Sequence, residues 1–238
     1  MAACRECVYE NTYRLIFIVG LTIDPLRVKQ LKVTIIYKTR LKHMIAVSVV
    51  GKIELNCPFE KALHYIQALE NISDYEPKIS QASTSVTDSR HGTYSTVGFF
   101  SCVPWRGQFE YSLHDHGFHS VMVGGVMADA MQGGFAIFPI DGNRCQLWHY
   151  EEYRFPPVIG RLLKPGWRCY LDYAMKNELL DIEEHLISTV EKNSTLDVTL
   201  LDKPILSEVV KDVDWEVLFD KIQSSEERQI KIASSTTL

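Results

Sequence analysis

"RCQLWHYEEYRFPPVIG", residues 144–160, changes its period at the double proline. Before Pro156-Pro157 an aromatic or aliphatic residue stands at most steps, the pattern of a strand. After it Ile159, Leu163, Trp167, Tyr170, Ala174, Met175, Leu179, Ile182, Leu186 and Val190 recur three or four apart, the pattern of an amphipathic helix. A break or kink is expected at Lys164-Pro165-Gly166. A helix of about 25 residues beyond Pro165 spans roughly 37 Å and needs a broad apolar surface to lie on. A sheet is the candidate surface.

Upstream, residues 79–155 read as β throughout. Turn signals fall at Arg90-His91-Gly92, Pro104, Asp115-His116-Gly117, Gly124-Gly125 and Asp141-Gly142-Asn143, which indicates an antiparallel meander of hairpins. "IAVSVVGKIEL" (45–55) reads as a further strand. Asn56 is a candidate N-cap, with Pro58 in the first turn and Phe59, Leu63 and Ile66 at helical spacing. A second short helix covers "ALENISDY" and ends at Glu76-Pro77, because the residue before proline avoids the helical region.

That order of strand, two short helices, β meander and one long helix resembles the SRPBCC superfamily. This superfamily takes in START-like lipid-transfer domains, polyketide cyclase/dehydrase proteins, coenzyme-Q-binding proteins and the birch-pollen-allergen type. The resemblance rests on "VSVVGKIELNCPFEKALHYIQALENISDYEPKI", "GGFAIFPIDGNRCQLWHYEEYRF" and "PPVIGRLLKPGWRCYLDYAMKNELLDIEEHL". It implies an α+β helix-grip fold: a curved antiparallel sheet wrapped around the long C-terminal helix, with an internal cavity. Members bind lipids, sterols, quinones or polyketides there, and some catalyse cyclisation or dehydration. Three parts follow: an arm (1–43), the START-like domain (44–191) and an acidic tail (192–238) with a short helix at "DWEVLFDKI".

Strand parity sorts the charges of residues 144–155. Cys145, Leu147, His149, Glu151, Tyr153 and Phe155 share one face, and Arg144, Gln146, Trp148, Tyr150, Glu152 and Arg154 the other. The first set is more apolar and is assigned to the cavity, which leaves Glu152 facing outward. A two-residue turn at Asp141-Gly142 or Gly142-Asn143 adds Ala136, Phe138 and Ile140 to the cavity face, whereas a three-residue turn flips that register. The outer face is then Phe135, Ile137, Pro139, Trp148 and Tyr150, too apolar to stand bare. Its expected cover is the arm's strands or a second subunit in a homodimer, with the arm preferred.

His149 and Glu151 lie side by side at about 6.5–7 Å on one strand face. They serve either as a proton-transfer pair, with Tyr153 as a third acid/base group, or as polar contacts for a ligand, which is the simpler reading. Arg106 and Glu110 are candidate anchors for a carboxylate or hydroxyl, and Tyr170, like Tyr173, a candidate lining residue. The expected cavity set is Arg106, Glu110, Phe138, Leu147, His149, Glu151, Tyr153 and Tyr170.

No cofactor and no metal are expected. "HDHGFH" (114–119) carries three histidines, but its Asp115-His116-Gly117 turn splays them. Cys4-x-x-Cys7 is half a zinc motif without a matching second half. Ser101, Cys102 and Cys145 have no recognisable base partner. Without a convincing secretory signal the six cysteines do not read as a disulfide framework, and a cytoplasmic setting is expected.

The net charge of −5 is unevenly spread: residues 1–43 carry eight Lys/Arg against three Asp/Glu, and residues 191–238 carry six against ten. A basic arm on an acidic body suits contact with anionic lipid, which would make the protein membrane-peripheral, or contact with another protein or its own body. The acidic whole argues against a nucleic-acid partner. The ligand expected is a hydrophobic small molecule. The leading function is its binding or transfer; the alternative is a polyketide cyclase/dehydrase-type enzyme.

Overall fold

The structure is a computed structural model. It describes residues 44–100, 103–125, 127–128, 130–187, 195–201, 204–205 and 217–224. The arm lies outside these residues, and with it the lipid contact expected of it.

Strand β1 (Ile45–Leu55) is followed by helix α1 (Phe59–Gln67), a 3-10 turn (Leu69–Asn71) and the single-turn helix α2 (Ile72–Tyr75). Pro58, not Asn56, is the N-cap, with no side-chain cap, so α1 begins at Phe59 and Pro58 lies just outside its first turn. The meander is β2 (Ile79–Val86), β3 (His91–Phe100), β4 (Val103–His114), β5 (Gly117–Gly125), β6 (Met131–Asp141) and β7 (Arg144–Phe155). Helix α3 (Pro157–Leu186) and strand β8 (Leu196–Leu201) complete it. The eight strands form one antiparallel sheet in the order β2-β3-β4-β5-β6-β7-β1-β8.

Helix α3 is continuous over 30 residues and runs through Pro165, so the expected break does not occur. It starts at Pro157 because proline suits a first helical position, where its missing N–H is not needed. Its buried stripe of Leu171, Ala174, Met175, Glu178, Leu179, Ile182 and Leu186 lies on the inner face of the sheet. Gly51 of β1 permits the close approach: a Cβ there would come within 2.6 Å of Leu179 Cδ1 and 2.7 Å of Met175 Cγ. Full burial of each large aliphatic side chain in such a stripe contributes roughly 1.5–3 kcal/mol.

The parity of β7 is as the sequence indicates: Cys145, Leu147, Tyr153 and Phe155 join the inner core, while Trp148 and Tyr150 join an outer cluster. The β6 register is the reverse of the expected one. The turn does have two residues, Gly142-Asn143 between the paired Asp141 and Arg144, but the ladder shifts between Pro139 and Asp141. The extra residue, Ile140, is exposed, and the bulge flips every residue before it. Phe135 and Ile137 therefore point inward with Leu147, and Ala136 and Phe138 point outward.

The outer face is covered by the C-terminal region. Ile205, Leu218, Phe219 and Ile222 pack on Val50, Ala136, Phe138, Trp148 and Tyr150, with Phe219 against Phe138 at 4.2 Å between ring centroids. Residues 217–224 are helical. Among the described residues it is this C-terminal region that lies over Trp148 and Tyr150; the arm, the preferred cover in the sequence reading, lies outside the described residues. Glu152 faces outward as the alternation predicts, but it is fully buried there, where it accepts hydrogen bonds from Arg154 (2.6 and 2.9 Å), Gln132 (3.0 Å) and the Ile205 backbone N–H (2.7 Å).

No helix among the described residues is long and apolar enough to cross a membrane.

Candidate functional site

The inner face of the sheet, α2 and α3 enclose a cavity of about 40 Å³. Part of its lining is apolar and aromatic: Ile72, Ile79, Trp105, Phe109, Phe118 and Phe135. Part is polar, which we call the polar wall: Glu76, Lys78, Ser120, His149, Glu151 and Glu178. Three parts of the chain supply this polar wall. Glu76 and Lys78 flank the proline between α2 and β2, His149 and Glu151 alternate on β7, and Glu178 hangs from the buried stripe of α3.

Lys78 is the centre of the cluster. Its Nζ donates to Glu151 Oε1 at 2.8 Å and to Tyr153 Oη at 3.4 Å, and lies 3.2 Å from Glu76 Oε2. Its side chain is only 3% exposed. Burial opposes its charge, but the Glu151 and Glu76 carboxylates outweigh burial and hold its pKa well above the usual lysine value. Lys78 is therefore an ammonium donor and not an amine nucleophile. Burial pushes Glu151 up, yet Lys78 and then His149 more than offset it, so Glu151 ends below the usual carboxylate value and is ionised.

The neighbouring carboxyl behaves oppositely. Burial, then the charge of Glu76, raises Glu178 well above the usual value, so it holds its proton. Burial likewise raises Glu76, with Lys78 pulling against it. Burial lowers His149 to about 3, which leaves a neutral imidazole at physiological pH. The 3.5 Å approach of His149 Nδ1 to Glu178 Oε1 is thus a contact between two neutral groups rather than an ion pair. Phe135 stacks on the imidazole at 3.9 Å between centroids and 12° between planes, fixing its orientation.

Three polar atoms of this wall have no hydrogen-bond partner although fully buried: His149 Nδ1, Glu151 Oε2 and Glu178 Oε2. Buried polar atoms are nearly always paired with protein, water or ligand, so three such atoms around one cavity mark it as a polar site. Chemically the wall offers an ammonium donor, an ionised carboxylate and a protonated carboxyl within one small volume. Carboxyls whose affinities for a proton are pushed apart are the arrangement from which acid/base pairs are built.

The expected cavity residues divide. His149 and Glu151 line the cavity, and Tyr153 reaches it through Lys78. Leu147 is inner core. Tyr170 is half-buried against Trp167 on α3, outside the lining set. Phe138 sits on the outer face, through the Ile140 bulge. Arg106 is exposed and Glu110 half-buried; both alternate with the inward Gly107, Phe109 and Tyr111 and so point away from the cavity. The "HDHGFH" histidines separate: His116 stacks on Phe138, and His119 stacks on Tyr150 at the outer face. Glu76, Lys78 and Glu178 were not anticipated, although a carboxylate within the apolar stripe of α3 was a readable signal for Glu178.

A long helix gripped by a curved antiparallel sheet, with a cavity between them, decides the architecture. The chain has the helix-grip fold of START-like proteins and aromatase/cyclases. Two solved structures align at TM-score 0.51. One is TTHA0849 from Thermus thermophilus, 15% identical over 59% of this chain and 97% of that one. The other is Zhui aromatase/cyclase from a Streptomyces species, 10% identical over 59% of this chain and 93% of that one. The di-domain ARO/CYC StfQ from the steffimycin biosynthetic pathway aligns at 0.50, with 9% identity over 60% of this chain and 51% of its own. At these identities the likeness is one of fold. No protein-family model and no curated protein matches the sequence.

Proposed function

We propose that this helix-grip protein binds a small molecule between the sheet and α3. The guest's aromatic or aliphatic body rests on Trp105, Phe109, Phe118 and Phe135, and its polar end meets Lys78, Glu151, His149 and Glu178. The observation that carries this reading is the set of three unpartnered, buried polar atoms around one cavity whose lining is partly aromatic. A carrier of plain hydrocarbon has no use for them, since each buried polar atom left unpaired costs about 1–3 kcal/mol. Among the family's ligands, an oxygen-bearing polyketide or quinone fits this wall better than an unfunctionalised lipid. The cavity of about 40 Å³ is far below the roughly 300–1,000 Å³ of typical ligand pockets. Binding therefore requires the sheet to move outward from α3.

Acid–base turnover of the cyclase/dehydrase type is the second reading. It is favoured by the proximity of protonated Glu178 to ionised Glu151, one able to donate a proton and the other to accept one. Native mass spectrometry of the purified full chain tests the primary reading, together with quenching of Trp105 fluorescence by aromatic ketones and quinones. A co-purified small molecule, or saturable quenching lost in Trp105→Leu and weakened in Glu151→Gln, is the expected result. No co-purified species and no saturable quenching across the panel would overturn it. Product formation that disappears in Glu151→Gln while binding persists would favour the enzyme.

A further inference from the structure

The polar wall has a property that binding of an organic guest does not require. We propose that His149, Glu151 and Glu178 form a divalent-cation site at the inner end of the cavity. Potential ligand atoms of the three residues all lie within 4.8 Å of one another, and all three residues are buried. The 3.5 Å separation of His149 Nδ1 and Glu178 Oε1 matches the roughly 3.4 Å edge of a tetrahedron with metal–ligand bonds of about 2.1 Å.

The orphaned atoms form an independent observation. His149 Nδ1, Glu151 Oε2 and Glu178 Oε2 each lack a partner, and all are electron-pair donors to a metal. Lys78 engages Glu151 through Oε1, which leaves Oε2 for the cation. Formal charge points the same way. With Glu76, Glu151 and Glu178 all deprotonated, as ligation requires of the last two, the cavity lining would carry three carboxylates against one cation, Lys78; in the metal-free protein the bound protons offset that charge. Fully deprotonated, the lining is two positive charges short, and one divalent ion closes that deficit.

One imidazole with two carboxylates is a donor set for zinc, iron, cobalt or manganese, and offers too few oxygens for calcium. Three protein ligands leave a coordination position open, as in catalytic zinc sites. The stacked Phe135 holds the imidazole plane, and Lys78 holds the Glu151 carboxylate, the kind of support that orients metal ligands. The site departs from the expectation of no metal because its ligands come from β7 and α3, which no local motif joins. The ion would take the three atoms that the proposed function gives to the guest's polar end, and a guest would then meet the open coordination position and Lys78.

The experiment uses the full chain, stripped with a chelator and titrated with Co²⁺ and Zn²⁺ by calorimetry and visible absorption. One ion per chain is expected, with a Co²⁺ d–d band. Affinity should fall at least tenfold in both His149→Ala and Glu178→Gln, and stay unchanged in the double variant Cys4→Ser/Cys7→Ser. If His149→Ala does not fold, His149→Gln carries the comparison. Absence of stoichiometric Co²⁺ binding would overturn the proposal and leave protons to balance the cluster. Unchanged affinity in the His149 and Glu178 variants, or loss in the cysteine variant, would also overturn it.

Discussion

Lys78→Met removes the ammonium that Glu76 and Glu151 share while keeping most of the side chain's length. The pair it breaks is deep: 2.8 Å between Nζ and Glu151 Oε1, with side-chain exposures of 3% and 4%. Removing one partner of a buried pair strands the other charge, at a cost of about 3–5 kcal/mol. For a chain of this size each kcal/mol moves Tm by roughly 2–4 °C, so the expected drop at pH 7 is about 6–20 °C. The pH dependence follows from Glu151, whose pKa in the folded protein lies below the ordinary 4.5. Its pairing with Lys78 therefore contributes fully above about pH 4.5 and fades as pH falls through the lowered value. The wild-type and variant proteins should differ most at neutral pH and converge in acid. Glu151→Gln placed on Lys78→Met should restore about 1 kcal/mol or more, because neighbouring residues couple. Scanning calorimetry between pH 3 and 8 measures all of this. A drop under 2 °C at pH 7, or one independent of pH, would refute the ionised-pair reading.

In chelator-treated protein, Glu178→Gln should show the opposite slope. Glu178 has a folded pKa well above 4.5, so its bound proton favours the fold below about pH 4.5 and that contribution is lost as pH rises toward the raised value. The variant should gain stability relative to wild type from pH 5 to 8 in urea titrations; a relative loss would refute a protonated Glu178. Leu218→Ala, at a fully buried position of the outer cover, should cost about 2–5 kcal/mol in the same titrations without altering Trp105 quenching. Arg106→Ala should change stability by less than about 0.5 kcal/mol and leave quenching intact, because its side chain is exposed; a loss of binding would return Arg106 to the cavity.

The strand-to-helix switch at Pro156-Pro157 and the alternation of β7 were legible because both are periodic over more than ten residues. The inward placement of His149 followed from that alternation. Phe138 was misplaced because a bulge at Ile140 inserts one residue without any change of composition, and a single insertion reverses a period of two. Arg106 and Glu110 were misplaced for another reason: a polar residue between aromatics identifies a strand but not which face the core takes. Lys78, Glu76 and Glu178 were hidden because each belongs to a different element. Glu76-Pro77 reads only as the end of a short helix, and it is the fold that brings Glu76 and Lys78 to Glu178 of α3. The outer cover was equally non-local, since the helix at 217–224 meets Trp148 some seventy residues back along the chain.

Strand β7 is clamped from both sides. Glu151 is tied to Lys78 within, and Glu152 is tied to Gln132, Arg154 and the Ile205 N–H without. Its amides should exchange with solvent among the slowest in the protein, and it cannot serve as the door. The yielding edge is β2, which is paired only to β3 and exposed along most of its length. Lys78 immediately precedes that strand. Swinging the start of β2 outward draws the ammonium away from Glu151, so admitting a guest and separating those charges are one motion. If the protein binds a guest as proposed, the guest's exchange is coupled to the ion pairs of Lys78 with Glu151 and Glu76: weakening them in acid should quicken that exchange as well as loosen the fold.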